Sequence, residues 1–283
     1  MSPSAPAIVI VPGAFLGTRP YEDFAKMLRA KGYMVDVVSL PSAGDLTSEA
    51  VSSPAWKNLA SKTVYSDVEA IYNTMKPHFQ QGRDVVLMGH SYGSMPAILS
   101  IEGHTTPGTK EKGGKGGVVG FINIAGFAFA ARGKNAMGTD DDPPVMPYHK
   151  FEVLTPPLFA RKTTNPSQDG IVTLQETARP LFFSDLSPER QEEIWQTFPK
   201  QQSWACFLCR PNFIDADVQV PKAYVKTELD QCVFPAWQDG FVAAGQYDKT
   251  ISMSTGHCPM VSAPEALARE VDKFISETCS DNE

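Results

Sequence analysis

The chain of 283 residues is 42% hydrophobic and 10% aromatic, enough to bury one large core, which excludes a disordered or fibrous molecule. Its net charge is -7 and its basic residues are scattered apart from Lys110 to Lys115, so it lacks a nucleic-acid footprint and suits a small or neutral substrate. Met1-Ser2-Pro3-Ser4 is not a signal sequence, the strongest apolar run, Ala7 to Val11, is too short to span a bilayer, and the five cysteines are odd in number; a cytoplasmic protein with free thiols is expected.

Ala7 to Val11 reads as a strand ending at Pro12-Gly13, and Tyr21, Phe24, Ala25 and Leu28 then recur at helical spacing. Met34 to Leu40 predicts a second strand. Val64, Val68, Ile71, Tyr72, Met75 and Phe79 line one face of a long helix. Asp84 to Met88 is a third strand, followed by Gly89-His90-Ser91-Tyr92-Gly93 and a helix burying Met95, Ile98 and Leu99. Val118 to Ala125 is a fourth. Such alternation implies a parallel sheet covered on both faces.

From Phe127 to about Val220 the alternation breaks. The stretch is rich in prolines and aromatics and shows no clear strand, only one distinct helix, Pro188 to Phe198. A structureless loop of that length is foreign to a compact domain, so an inserted cap is expected over residues 127–219. The alternation resumes with a strand at Lys222 to Thr227, a helix from Pro235, a strand at Lys249 to Met253 and a last helix from Pro264. Residues 1–126 and 220–283 then form one core.

Gly89 to Gly93 matches G-x-S-x-G between an apolar strand and a helix, the setting of a nucleophile elbow. A serine hydroxyl needs a base. His257, between the last strand and the last helix, is placed to deliver one, whereas His78, His90, His104 and His149 read as packed or solvated, with His149 able to touch substrate. Asp230, just past the strand Lys222 to Thr227, is placed to orient that imidazole, with Glu228 as its neighbouring rival. Backbone N–H groups of Ala14 and Tyr92 are the expected oxyanion donors, the first beside flexible Gly13, the second at a helix N-terminus.

These stretches, Ala7 to Gly44, the elbow, Thr227 to Gln238 and Gly256 to Glu265, resemble the α/β-hydrolase branch that contains plant methylesterases and hydroxynitrile lyases, with esterase-like members in bacteria and fungi. The resemblance covers the core, roughly two thirds of the chain. It implies an α/β-hydrolase fold, a mostly parallel sheet with helices on both faces and an inserted mainly helical cap, with Ser91, Asp230 and His257 as triad and Ala14 and Tyr92 as oxyanion hole. The chain departs from its relatives at Pro12, where they commonly carry histidine, and at Cys258, where the lyases carry the lysine that stabilises cyanide.

Ester hydrolysis through an acyl-enzyme on Ser91 is therefore expected, with no cofactor and no metal. Acyl transfer, lactonisation or chain release from a carrier-protein thioester is the alternative, and a binding module on the same fold is a third. Phe15, Trp195, Trp204 and Cys258 are the expected substrate contacts. Cys206-Phe207-Leu208-Cys209 lacks a second cysteine pair and reads as packed thiols.

Overall fold

The computed structural model describes residues 5–111, 113–153 and 170–279. In chain order the first half runs β1 (Ala7–Val11), α1 (Glu22–Ala30), β2 (Val35–Val37), β3 (Ala43–Gly44), α2 (Pro54–Ala60), α3 (Val64–Gln80), β4 (Val85–His90), α4 (Ser94–Ile101), α5 (Thr106–Glu111) and β5 (Val118–Ile124). The second half runs β6 (His149–Val153), β7 (Gly170–Leu174), α6 (Arg179–Phe182), α7 (Pro188–Trp195), β8 (Gln201–Ser203), β9 (Lys222–Thr227), α8 (Pro235–Gly245), β10 (Lys249–Met253), α9 (Pro259–Ser262) and α10 (Pro264–Thr278).

Unbroken apolar runs rather than alternating ones make the central strands. Every residue of β1, β4 and β5 is buried, which requires cover on both sheet faces. The strands form a parallel six-stranded sheet in the order β10-β9-β5-β4-β1-β2. Helix α1 packs against α10, and α3 against α4. Local signals set the ends of the helices: Ser66 Oγ accepts the Thr63 N–H at 3.2 Å at the start of α3, and Ser187 accepts from the Arg190 N–H ahead of Pro188 in α7. No helix among the described residues is long and apolar enough to cross a membrane.

Chain order reverses between β1 and β4, which lie side by side with Val11 opposite Gly89. The loops leaving these two strands diverge there, and the crevice between them is where an open α/β sheet binds its ligand. Glycine is required at the meeting point. A Cβ on Gly93 would lie 2.3 Å from the Pro12 carbonyl oxygen, and one on Gly89 would lie 2.5 Å from the Ser94 Cα.

The interval 127–219 differs from expectation in having clear strands. It contributes β6, β7 and β8, which with β3 form an antiparallel sheet in the order β3-β8-β7-β6, alongside α6 and α7. Short strands on a small, two-sided sheet carry little periodicity. Gln201-Gln202-Ser203 has no β-forming residue at all and is recruited by its partners, since Ser203 N–H donates to the Ser42 carbonyl at 2.9 Å.

Gly93→Ala is expected to destabilise the protein by about 2 kcal/mol or more through overpacking against backbone. Gly240→Ala, on an exposed turn of α8 where a Cβ meets open space, should instead stabilise it by about 0.5–1 kcal/mol. Chemical denaturation of both variants measures the difference.

Candidate active site

Ser91 follows β4 at the entrance to α4 with φ 52°, a left-handed conformation that an L-residue holds only under constraint. The constraint is the tight strand-to-helix passage enforced at Gly89 and Gly93. Ser94 Oγ donates to the Ser91 carbonyl at 2.8 Å and to the Phe127 carbonyl at 2.9 Å, pinning the turn from behind. The result is a serine only 9% exposed that opens onto a cavity instead of bulk solvent.

Asp230 leaves the end of β9 and His257 follows the end of β10, so adjacent parallel strands deliver both side chains to the same sheet edge. His257 Nδ1 and Asp230 Oδ2 lie 2.7 Å apart, both groups buried. Asp230 is held by more than this bond. Thr227 Oγ1 and Gln238 Nε2 donate to Oδ2 at 2.8 and 3.3 Å, and the N–H groups of Cys232 and Val233 donate to Oδ1 at 2.7 and 2.9 Å. Burial works to raise its pKa, but the charge and hydrogen bond of His257 and the two N–H bonds hold it below the ordinary carboxylate value. Glu228 points elsewhere, accepting from Ser254 Oγ at 2.6 Å on the surface.

The loop after β1 is fixed on both sides of Ala14. Gly13 N–H donates to Tyr21 Oη at 2.9 Å and Phe15 N–H to Gln202 Oε1 at 3.1 Å, while no hydrogen bond among the described residues occupies the Ala14 N–H. Phe15 is itself left-handed at φ 63°. Tyr92 lies in the turn that begins α4, where N–H groups are not consumed by the helix ladder. Its hydroxyl donates to Asp67 Oδ2 at 2.6 Å, beside the Ser42 hydroxyl, which donates to the same oxygen at 2.6 Å. Gln202 Nε2 donates to Ser42 Oγ at 2.6 Å, so one buried network supports Phe15 and Tyr92 together.

His90 joins the remaining pieces. Its Nδ1 lies 2.7 Å from Tyr21 Oη and its Nε2 lies 2.8 Å from the His257 carbonyl oxygen. Burial and the neighbouring His257 push its pKa down to about 3, so the ring is neutral. A carbonyl only accepts and an N–H only donates, which fixes every proton: His90 Nε2–H donates to His257, Tyr21 Oη–H donates to His90 Nδ1, and Gly13 N–H donates to Tyr21. Three loops separated in sequence are thereby tied through one imidazole.

A cavity of about 160 Å³ lies over these groups, and Ser91, His257, Ala14 and Tyr92 all reach its wall. The interval 127–219 supplies much of the rest, including Tyr148, His149, Phe182, Trp204 and Phe207. Of the expected substrate contacts, Phe15 and Trp204 line the cavity, whereas Trp195 and Cys258 do not. Trp195 is drawn into the core, its ring 5.5 Å from that of Phe198, because its face of α7 turns inward. Cys258 is buried as the residue just before α9, and it is Cys232 that reaches the wall. Periodicity marks Tyr21 as a core residue without hinting at its hydroxyl's role, and gives no hint of Gln202, Gln238 or Asp185, whose carboxylate accepts the Gly256 N–H at 2.7 Å; Gln202 and Asp185 act on loops far from their own sequence positions.

The donor atoms of Asp230, Cys232 and His257 lie within 4.8 Å of one another. They suit a metal poorly, because both Asp230 oxygens already accept hydrogen bonds and burial pushes the Cys232 thiol well up. Burial likewise raises Cys206 to about 12 and Cys209 to about 11, so that pair offers packed thiols rather than thiolates.

Residues 8–270 match the model of the Alpha/beta hydrolase family. The chain is 26% identical over 270 residues to the "Probable hydrolase R7" of a Phoma species, covering 93% of this chain and 95% of that protein. It is 23% identical over 291 residues to "Methylesterase 17" of Arabidopsis thaliana, covering 93% and 88%. The crystal structure of polyneuridine aldehyde esterase superposes with a TM-score of 0.72 at 20% identity, over 95% of this chain and 99% of that one, a likeness of fold.

Tyr21→Phe removes the acceptor of Gly13 and the donor to His90, both buried. It should cost about 1–3 kcal/mol of stability in chemical denaturation, whereas Tyr33→Phe, whose hydroxyl meets half-exposed Asp272, should cost less than about 1 kcal/mol.

Proposed function

The chain belongs to the alpha/beta hydrolase family as an esterase-like enzyme, and from that premise we propose that it hydrolyses carboxylic esters of small apolar substrates through an acyl-enzyme on Ser91. The observation that carries this reading is the buried 2.7 Å bond between Asp230 and His257, on the edge of a cavity shared with a strained serine. Asp230 accepts at Nδ1 and so leaves Nε2 as the basic nitrogen of a neutral ring.

In this mechanism Ser91 Oγ attacks the ester carbonyl while His257 Nε2 takes its proton. The tetrahedral oxyanion is met by the N–H groups of Ala14 and Tyr92, whose dipoles are already oriented and need no reorganisation. His257 then protonates the leaving alkoxide, the alcohol departs, and a water activated by the same imidazole releases the acid and restores the serine. The apolar wall supports binding of an apolar acyl or alcohol group and admits a second outcome, in which an alcohol of the substrate, rather than water, accepts the acyl group. Product analysis with and without added alcohols separates the two. Cyanohydrin cleavage is not supported, since Cys258 brings a buried neutral thiol where a cation is needed.

A fluorophosphonate should add one phosphonyl group to the protein by intact mass, mapping to the Ser91 peptide, and Ser91→Ala should lose both the adduct and about 10³-fold or more of its ester turnover while keeping its melting temperature. Retention of activity within about tenfold would exclude Ser91 as nucleophile.

Asp230→Asn is expected to lower kcat by about 10²–10⁴-fold, because an amide does not hold the imidazole in the productive tautomer or stabilise its charged form. Glu228→Gln, altering one surface hydrogen bond, should change kcat by less than about threefold. A reversed pattern would assign the acid to Glu228.

A further inference from the structure

An apolar cavity orients its ligand through the few polar groups on its wall, so each such group has to be accounted for. Asn135 is fully engaged within its own loop: its Nδ2 donates to Thr139 Oγ1 and the Asp141 carbonyl, and its Oδ1 accepts from the N–H groups of Met137 and Thr139. Trp204 has a buried Nε1–H without a partner, but it only donates, whereas His149 is able to donate and to accept. Its Nδ1 is buried with no hydrogen-bond partner, and its ring makes no hydrogen bond among the described residues. Its place is nonetheless well defined. It begins β6 opposite Leu174, its N–H donates to the Met146 carbonyl at 2.8 Å, and its ring lies 4.7 Å from that of Tyr148 and 5.2 Å from that of Phe15. Burial pushes its pKa down to about 4, so at neutral pH it presents one N–H donor and one acceptor nitrogen.

Leaving a desolvated imidazole unpaired is destabilising, and a native fold that keeps one calls for an explanation. Phe15 directly follows Ala14, so the imidazole packed at a tilt against its ring stands beside the loop that the ester carbonyl is to meet. We propose that His149 is a specificity-determining residue that hydrogen-bonds a second oxygen of the substrate, selecting apolar esters that carry a hydroxyl or carbonyl a few bonds from the scissile ester over esters that lack it. This rests on the ester reading above. No covalent step is involved: His149 binds and the Ser91 chemistry is unchanged.

The test uses methyl 3-phenylpropanoate and methyl 3-hydroxy-3-phenylpropanoate, both enantiomers, which differ by one hydroxyl. The native protein should favour one hydroxy ester over the plain ester by about tenfold or more in kcat/KM. His149→Phe keeps a ring against Phe15 and removes both nitrogens; it should shrink that preference to within about threefold of unity, mainly through a higher KM for the hydroxy ester. His149→Asn, which restores a donor and an acceptor, should recover part of it. Protection of Ser91 from fluorophosphonate by each ester provides the same comparison where turnover is slow. If the native protein reacts with fluorophosphonate at Ser91 yet shows no preference, or if His149→Phe retains the preference, the subsite is overturned and the ester reading stands. If Ser91 takes no label and neither ester is cleaved, the ester reading itself fails and the subsite with it.

Discussion

The approach of α4 to the end of β1 is the constraint on which the site depends. A Cβ at Gly93 would lie 2.3 Å from the Pro12 carbonyl oxygen and 2.5 Å from that of Val11, so the elbow and the β1 loop share a space that excludes any side chain. That closeness brings Ala14 and Ser91 to one cavity, and it forces Ser91 to φ 52°. Strain of this kind persists only where the surroundings over-determine it. Here they do, through Ser94 behind the turn, the Asp67 network beneath Tyr92 and the neutral His90 ring beside it.

Much of this was legible in the sequence, and the reason is local. Strands β1, β4 and β5 are mostly apolar runs, and β9 and β10 shorter ones built around Tyr224-Val225 and Thr250-Ile251, next to helices of clear periodicity, so each can be recognised without knowing its neighbours. Ser91 stands in a five-residue pattern whose glycines are demanded by backbone contact. The antiparallel sheet was not legible because its strands are specified by pairing across distance: Gly44 meets Gln201 and His149 meets Leu174. Trp195 misled for a related reason. An aromatic side chain fills a core and lines a cavity equally well, and only the orientation of α7 decides.

The supporting residues were hidden for a further reason. Gln202, Gln238 and Asp185 act by satisfying backbone groups of other segments, near in sequence for Gln238 and remote for the other two, and a polar side chain that does so has no sequence pattern. Two of these three come from the interval 127–219, which therefore braces the loops after β1 and β10 as well as lining the cavity. Gln202 holds the Phe15 N–H, Asp185 holds the Gly256 N–H, and Ser184 Oγ donates to the Leu229 carbonyl at 3.0 Å. A change in that interval made to alter substrate choice will for this reason also be felt at Ser91, His257 and Asp230.

Buried carboxylates here separate into two kinds, and the division shows where charge is wanted. Asp67 and Asp215 each have their pKa raised to about 6, because burial outweighs the hydroxyl and backbone donors around them. Asp230 is buried too and has a comparable set of donors, yet its pKa is lowered. The difference is the imidazole bonded directly to the carboxylate at 2.7 Å, whereas the cation near Asp215, Lys222, donates to that residue's backbone carbonyl instead. Asp67 therefore loses stabilisation as pH rises from about 4 to about 6 and it ionises in an environment that favours its neutral form, whereas Asp230 contributes stability above the ordinary carboxylate pKa that is lost only as pH falls through its lowered value. The proposed mechanism asks for an acid whose charged form is favoured beside an imidazole that cycles between neutral and charged, and of these three only Asp230 has its pKa lowered and an imidazole bonded to it.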